Sequence, residues 1–255
     1  MTSAIRIFAR AVRKFESRTP LDQADRAALC KLPFDLRHVE ANRTLLREGD
    51  RPAGATLIVQ GLAFRHKVTV EGARQILSVQ IPGDFIDLEV ILLGIADYNV
   101  QALTACEVAI VPREAMLKLI DSHPRVGRAM WIDTLVDASI YREWIVNLGR
   151  RDSRSGLCHL LCEFARRLEV AGQNGGDGHD LSMTQEQLAD ALGITPVHVN
   201  RILRELDREG LVVRDHRLLR VPSWEALRKA GGFSDLYLHL DRRATGPWCP
   251  PPARH

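Results

Sequence analysis

A chain of 255 residues is long for one compact domain and comfortable for two, each large enough to bury its own core. Its 45% apolar and 26% charged residues and lack of low-complexity tracts are those of an ordinary soluble protein, with disorder expected only at the ends. The scattered cysteines (Cys30, Cys106, Cys158, Cys162, Cys249) and the short apolar run at 90–96 (VILLGIA) argue against a disulfide framework and a membrane span, so a cytoplasmic setting is expected; a net charge of only +3 points weakly to nucleic acid.

At the N-terminus, Ile5, Phe8, Val12 and Phe15 fall at helical spacing among Arg6, Arg10, Arg13 and Lys14. The stripe reads as a terminal helix docked on its own protein, with a membrane-surface helix as the alternative. From about 34 to 111 the texture is that of strands. Glycines stand at 61, 72, 83 and 94, eleven residues apart, between runs such as 56–60 (TLIVQ), 64–70 (FRHKVTV) and 75–80 (QILSVQ). Short strands with regular turn signals predict a small antiparallel sandwich or barrel. Glu71-Gly72 is the best hairpin candidate, and Gly49-Asp50 and Pro82-Gly83-Asp84 mark further turns.

From Arg113 the period becomes helical, first in a short segment ending near Ser122-His123-Pro124, then in a long one from Arg125 to about Gly149. The long segment is apolar on several sides, with Val126, Trp131, Leu135, Ile140 and Ile145 among its residues. One face is expected on the β domain and another on the same helix of a second subunit; the alternative buries the whole helix in one monomer. Residues 153–170 predict a further amphipathic helix with Leu157, Leu161, Phe164 and Leu168 on one face, and 172–178 (GQNGGDG) a flexible connection.

Ser182 or Thr184 can cap the next helix, whose buried face is Leu188, Ala189 and Leu192; Gly193 ends it. Thr195 caps a following helix, Pro196 takes its first turn, and Val199, Ile202, Leu203 and Leu206 point inward. A short Gly-containing turn between two helices is helix-turn-helix spacing. The outward face, with Val197, His198, Asn200, Arg201, Arg204 and Arg208, carries residue types that contact DNA, since Arg can grip guanine and Asn adenine bidentately. Two short strands around Asp215-His216-Arg217 then complete a winged helix with His216 and Arg217 at its tip.

The run TQEQLADALGITPVHVNRILRELDREGLV, followed by RLLRVPSWEAL, resembles the DNA-binding domain of the Crp/Fnr family of bacterial transcription regulators. PGDFID, LTACEVAIVPR, the glycine-punctuated strands and the long helix are similar to that family's effector domain. The resemblance covers roughly residues 20–230 and implies an α+β chain. It predicts an antiparallel β-roll like that of cyclic-nucleotide-binding domains with an N-terminal helix (1–123), a dimerisation helix (124–150), a winged helix-turn-helix domain (151–232) and a C-terminal tail (233–255). It further implies a homodimer on double-stranded DNA, reading a two-fold symmetric operator through 196–208, with RNA polymerase as a further partner. By position, Arg201 matches the family's guanine-reading arginine, and Gln185, Thr195 and His198 match phosphate contacts; Arg204 and Arg217 complete the predicted interface. Family members commonly place a glutamate just after the cap, where this chain has Pro196 and Val197. Val197 can meet a thymine methyl and Asn200 a neighbouring base, so a different half-site is expected.

In the cyclic-nucleotide sensors of that family a Gly-Glu and an Arg-Ser pair hold ribose and phosphate; here Asp87-Leu88 and Tyr98-Asn99 stand in those places. No Lys or Arg occurs from 84 to 112, so an effector pocket around Asp87, Glu89, Tyr98 and Asn99 is expected to repel phosphate. An iron-sulfur cluster lacks its cysteines near the N-terminus, where Cys30 stands alone; Cys158 and Cys162, flanking His159, read as core. His38, His66 and His123 are candidate haem ligands but read as structural. No cofactor, metal site or enzyme constellation is predicted, and the effector is unassigned. The competing reading is a signalling module, responsive to a cyclic nucleotide or a metal, whose winged helix binds protein.

Overall fold

Helix α1 (Ser3–Arg18) buries Ile7, Phe8, Ala11 and Phe15 against the chain's own core. Phe8 meets Phe34 edge-on and Phe15 stacks on Phe85. The stripe is rotated from the expected one: Ile5 is exposed and Ile7 buried, because the helix also turns Lys14 and Arg18 inward toward acidic partners. The structure, a computed structural model, describes residues 3–171, 183–215 and 218–240, and for 3, 4, 214, 215 and 218–220 the backbone alone. The expected connection at 172–178, the cap candidate Ser182, the wing tip His216 and Arg217, and Cys249 lie outside the described residues.

After α2 (Gln23–Cys30) come β1 (Asp35–Val39), β2 (Thr44–Leu46), β3 (Gly54–Gln60), β4 (Ala63–Val68) and β5 (Arg74–Gln80), then the short helix α3 (Leu88–Leu93), β6 (Asn99–Ala102) and β7 (Cys106–Pro112). They make two antiparallel sheets, ordered β1-β7-β3 and β2-β6-β4-β5. The β4–β5 hairpin turns at Gly72, whose φ of +86° is a conformation that side chains with a Cβ resist. Its register shifts between Arg65 and His66, a local irregularity of the kind that re-aims a side chain.

The helical half consists of α4 (Arg113–Ser122), α5 (Pro124–Gly149), α6 (Ser153–Val170), α7 (Gln185–Leu192), α8 (Pro196–Arg208), a hairpin of β8 (Val213–Asp215) and β9 (Leu218–Arg220), α9 (Trp224–Gly231) and a single 3-10 turn, Asp235–Leu238. Helix α6 departs from the one-faced expectation. Cys158, His159, Leu160, Cys162 and Glu163 are buried beside Leu157, Leu161, Phe164 and Leu168, because α5 covers one side and α9 with the 3-10 turn another. The approach of α9 is close enough that a Cβ on Gly231 would stand 2.6 Å from the His159 amide nitrogen. One buried cluster runs from Phe64, Ile76 and Val79 of the β4–β5 hairpin through Trp144 of α5 to Leu188 and Leu192 of α7. The hydrophobic core therefore crosses between the two halves. Arg74 Nε to Asp190 Oδ2 at 2.7 Å, and the Gln75 amide donating to Ala191 O at 3.3 Å, pin α7 directly to β5.

Candidate nucleic-acid interface

Thr184 caps α7: its hydroxyl accepts from the Gln187 amide at 3.2 Å, and the Gln187 side chain returns a bond to the Thr184 amide nitrogen at 2.8 Å. Leu188, Ala189 and Leu192 are buried as expected. Gly193 closes the helix at φ +65°, which lets the chain reverse within a residue. Thr195 caps α8 by accepting from the His198 amide at 3.2 Å, with Pro196 in the first turn. Val199, Ile202, Leu203 and Leu206 are each no more than 3% exposed and hold α8 on the core.

That inward anchoring decides what faces out. Val197, Arg201, Arg204 and Arg208 are exposed, and with Gln185, Pro196 and Asn200 they line a shallow recess between the start of α7 and α8. Arg201 donates to His198 Nε2 at 3.1 Å, which sets that nitrogen as an acceptor, and it pairs with no carboxylate among the described residues. Nearby Glu209 is neutralised by Arg154 from α6. Asn200 is not a free base reader in this structure. It is half-buried, its amide donates to Gln185 Oε1 at 2.9 Å, and its own oxygen is enclosed without a partner, so Asn200 and Gln185 clamp α8 to α7.

Asp87, Glu89 and Tyr98 of the predicted effector residues gather around α3, with a cation from another strand among them. Asp87 is 1% exposed; Oδ1 accepts from the Thr56 amide at 2.7 Å while Oδ2 has no partner, and burial pushes its pKa up to about 7. The Tyr98 hydroxyl lies within reach of both Ile86 O and Glu89, which share its single proton, whereas Asn99 faces another way and accepts from the Glu48 amide at 3.1 Å. Into their midst comes Arg65 from β4, 1% exposed. Its guanidinium donates to Ile86 O at 2.9 and 3.1 Å, to Asp137 at 2.7 Å and to the Tyr141 hydroxyl at 2.6 Å on α5, lies 3.6 Å from Glu89, and sits over the Tyr98 ring. The 84–112 window holds no cation of its own, and Arg65 arrives from β4 to stand beside Glu89, while Asp87 keeps one oxygen unpartnered. Asp84, another acid of that window, belongs to a different site altogether, paired with Lys14 and Arg167.

Cys158 and Cys162 are fully buried, and burial pushes their thiols up to about 11 and about 12, the chemistry of inert core residues. His38 lies beside Glu107, and His123 beside Asp25. Among the described residues no group of three or more His, Cys, Asp or Glu side chains is placed to hold a metal, and no helix is long and apolar enough to cross a membrane.

A β-roll, a long connecting helix and a winged helix-turn-helix with a cationic outer face define a DNA-binding regulator of transcription built on an effector-type domain. Two family models match the chain: a cyclic nucleotide-binding domain over residues 36–123 and a Crp-like helix-turn-helix domain over 157–230. Transcriptional activator protein FnrL of Cereibacter sphaeroides is 28% identical, over 84% of this chain and 87% of that protein. Nitrogen fixation regulation protein FixK of Bradyrhizobium diazoefficiens is 26% identical, over 70% of this chain and 74% of the relative. The solved structure of FixK2 from Bradyrhizobium japonicum shares the fold at a TM-score of 0.71 and 23% identity, over 78% of this chain and 98% of that one. The chain belongs to the Crp/Fnr family of transcription regulators.

Proposed function

We propose that the protein acts as a homodimer that reads a two-fold symmetric operator, each subunit laying α8 in the major groove of one half-site. The observation that carries this reading is the division of α8: an apolar face buried to within 3% and an opposite face where Val197, Arg201, Arg204 and Arg208 stand exposed. Arg201 is the residue for guanine O6 and N7, Val197 for a thymine methyl, and Thr195, Gln185, His198 and Arg204 for the phosphates around them. Asn200 contributes by holding the helix pair rigid. Because Pro196 and Val197 offer no acceptor to cytosine, the half-site differs from one read by a glutamate at that place.

Dimerisation is supported by α5. Trp131, Leu135, Ala138, Arg142 and Ile145 recur at alternating spacings of four and three, and Trp131, Leu135 and Ile145 are 68, 52 and 66% exposed. That is the seam of a paired helix without its partner. Half-sites one helical turn apart, about 34–36 Å, follow from the two-fold symmetry. The name of FnrL as a transcriptional activator supports RNA polymerase as the second macromolecular partner.

Selection of bound fragments from genomic DNA by the purified protein should enrich a palindrome, and binding to it should weaken steeply with salt. Failure to enrich any sequence, with salt-insensitive binding, would hand this face to a protein partner instead. The signal is proposed not to be a cyclic nucleotide, since Arg65 already occupies the space between Ile86, Tyr98 and α5. Stoichiometric cyclic AMP binding in a calorimeter would overturn that.

A further inference from the structure

With Arg65 filling the space behind α3, a different cavity remains open. It measures about 100 Å³ and lies where α1, the Pro82–Asp84 turn, α5, α6 and the residues after the 3-10 turn converge. Five cationic side chains line it: Arg10, Arg13, Lys14, Arg18 and Arg167. Three carboxylates face them, and one, Asp137, is committed to Arg65 at 2.7 Å. Lys14 bridges Asp84 and Asp133, at 2.7 Å to each, and Arg167 takes the other oxygen of Asp84 at 3.0 Å. Arg10 has a backbone carbonyl, Val59 O, and Arg13 has no acidic partner among the described residues. Positive charge is left over.

Two buried atoms of the wall are unsatisfied as well. Arg18 is 9% exposed, and its Nε and the Asp133 Oδ1 make no hydrogen bond, standing 3.5 Å apart. Nη1 of the same guanidinium donates to Leu238 O and His239 O, both at 2.9 Å, so Nε cannot turn to find a partner. Against this polar rim stands an apolar wall of Ile81, Val136, Ile140, Val170 and Leu238. An engineered apolar cavity of about 150 Å³ takes up benzene, so this one has room for a stem of roughly four or five carbons.

We propose that this junction is a binding site for a small organic anion, a carboxylate on a short apolar stem, with Arg10 and Arg13 drawing the charge and the α5–α6 wall taking the stem. The cavity touches the effector-type half, the long helix and the helix that carries the DNA-binding half at once. A ligand there acts on their relative placement, which gives the family architecture an entry point for a signal away from the filled pocket. The inference does not depend on the DNA reading, because it is tested without DNA.

The test is titration of the full-length protein with valerate, followed by calorimetry and by methyl NMR of the wall residues, with pentanamide as the neutral isostere. Expected is saturable binding of valerate with a Kd of about 1 mM or tighter, the order reachable by a seven-atom ligand. Pentanamide should bind at least about tenfold more weakly, and R10Q/R13Q should lose valerate by a similar factor, as expected when an anion loses its opposite charge. Arg13 is exposed and the half-buried Arg10 gives up a single hydrogen bond, to Val59 O, so the variant is expected to fold, and circular dichroism checks that. No saturation by valerate at about ten times that concentration, equal binding of pentanamide, or undiminished binding by folded R10Q/R13Q would each overturn the proposal.

Discussion

Two side chains show how much a single residue decides here. Arg201 is held by His198 and by no carboxylate among the described residues, so its guanidinium is available without breaking an ion pair. Arg201→Ala should cost about 1–3 kcal/mol of operator affinity and relax one base position, as read by competition binding against half-site variants. A uniform loss across all sequences would make Arg201 a phosphate contact instead. Asp87 makes the opposite point, a carboxyl whose second oxygen is buried without a donor. Burial raises its pKa from 3.8 to about 7, with the Thr56 amide and Arg65 opposing, so the folded state holds a proton that the unfolded state releases. Its contribution to stability is therefore complete below about pH 4 and lost as pH rises to about 7. Asp87→Asn keeps an oxygen for Thr56 and cannot ionise. The stability of D87N relative to the parent should rise across that window by up to about 4 kcal/mol in urea unfolding, and a constant difference would show that Asp87 titrates normally. The two are not equally legible in the sequence. Arg201 follows from helical spacing and composition, whereas the burial of Asp87 depends on what lies above it.

At the level of elements, periodicity shows in the sequence wherever one face is buried and the other wet. The inward residues of α8 and the β4–β5 hairpin at Gly72 were legible because each follows from a local rule. α6 was not, because its polar His159 and Glu163 are buried only when other elements supply partners: Trp144 and Tyr237 both donate to Glu163. α5 lies between these cases. Its excess apolar surface is evident, and the structure separates the buried side, Val136, Ile140 and Trp144, from the exposed strip of Trp131, Leu135 and Ile145 proposed as the dimer seam. Charge on that strip should split the proposed dimer without unfolding the monomer. L135E/I145E is expected to sediment as a monomer with an unchanged far-ultraviolet spectrum and to bind a single operator at least about a hundredfold more weakly, since the second half-site no longer adds its effective concentration. A variant that stayed dimeric would move the interface off this strip.

For the whole molecule, the question is what joins an effector-type half to a DNA-binding half. The hydrophobic cluster spanning Phe64 to Leu188 and the Arg74–Asp190 pair do so on one side. On the other, Lys14 from α1, Asp84 from the turn, Asp133 from α5 and Arg167 from α6 form a buried ionic knot. Burial works against the Lys14 ammonium, yet Asp133, Asp84 and Asp137 more than offset it, and Lys14 is held above its ordinary pKa. Burial likewise disfavours the Asp84 carboxylate, and Lys14 and Arg167 hold it below its usual range. A double-mutant cycle of Lys14→Met and Asp84→Asn, followed by urea unfolding, should give a coupling of about 1–3 kcal/mol; additive effects would show that the two charges do not depend on each other. By itself the sequence determined the succession of a strand-rich part and a helical part, the helix-turn-helix with its turn and outer face, and the family. Those rest on spacing of a few residues, which survives in one dimension. Only the tertiary structure decided that Arg65 comes to Glu89 and Asp137, that Asp84 turns to Lys14 instead, and that Asn200 is spent on Gln185. Each of these is a pairing of charge or hydrogen bond between segments 15 to 72 residues apart, and the cost of burying an unpaired polar group, which enforces the pairing, arises only once the chain has closed around it.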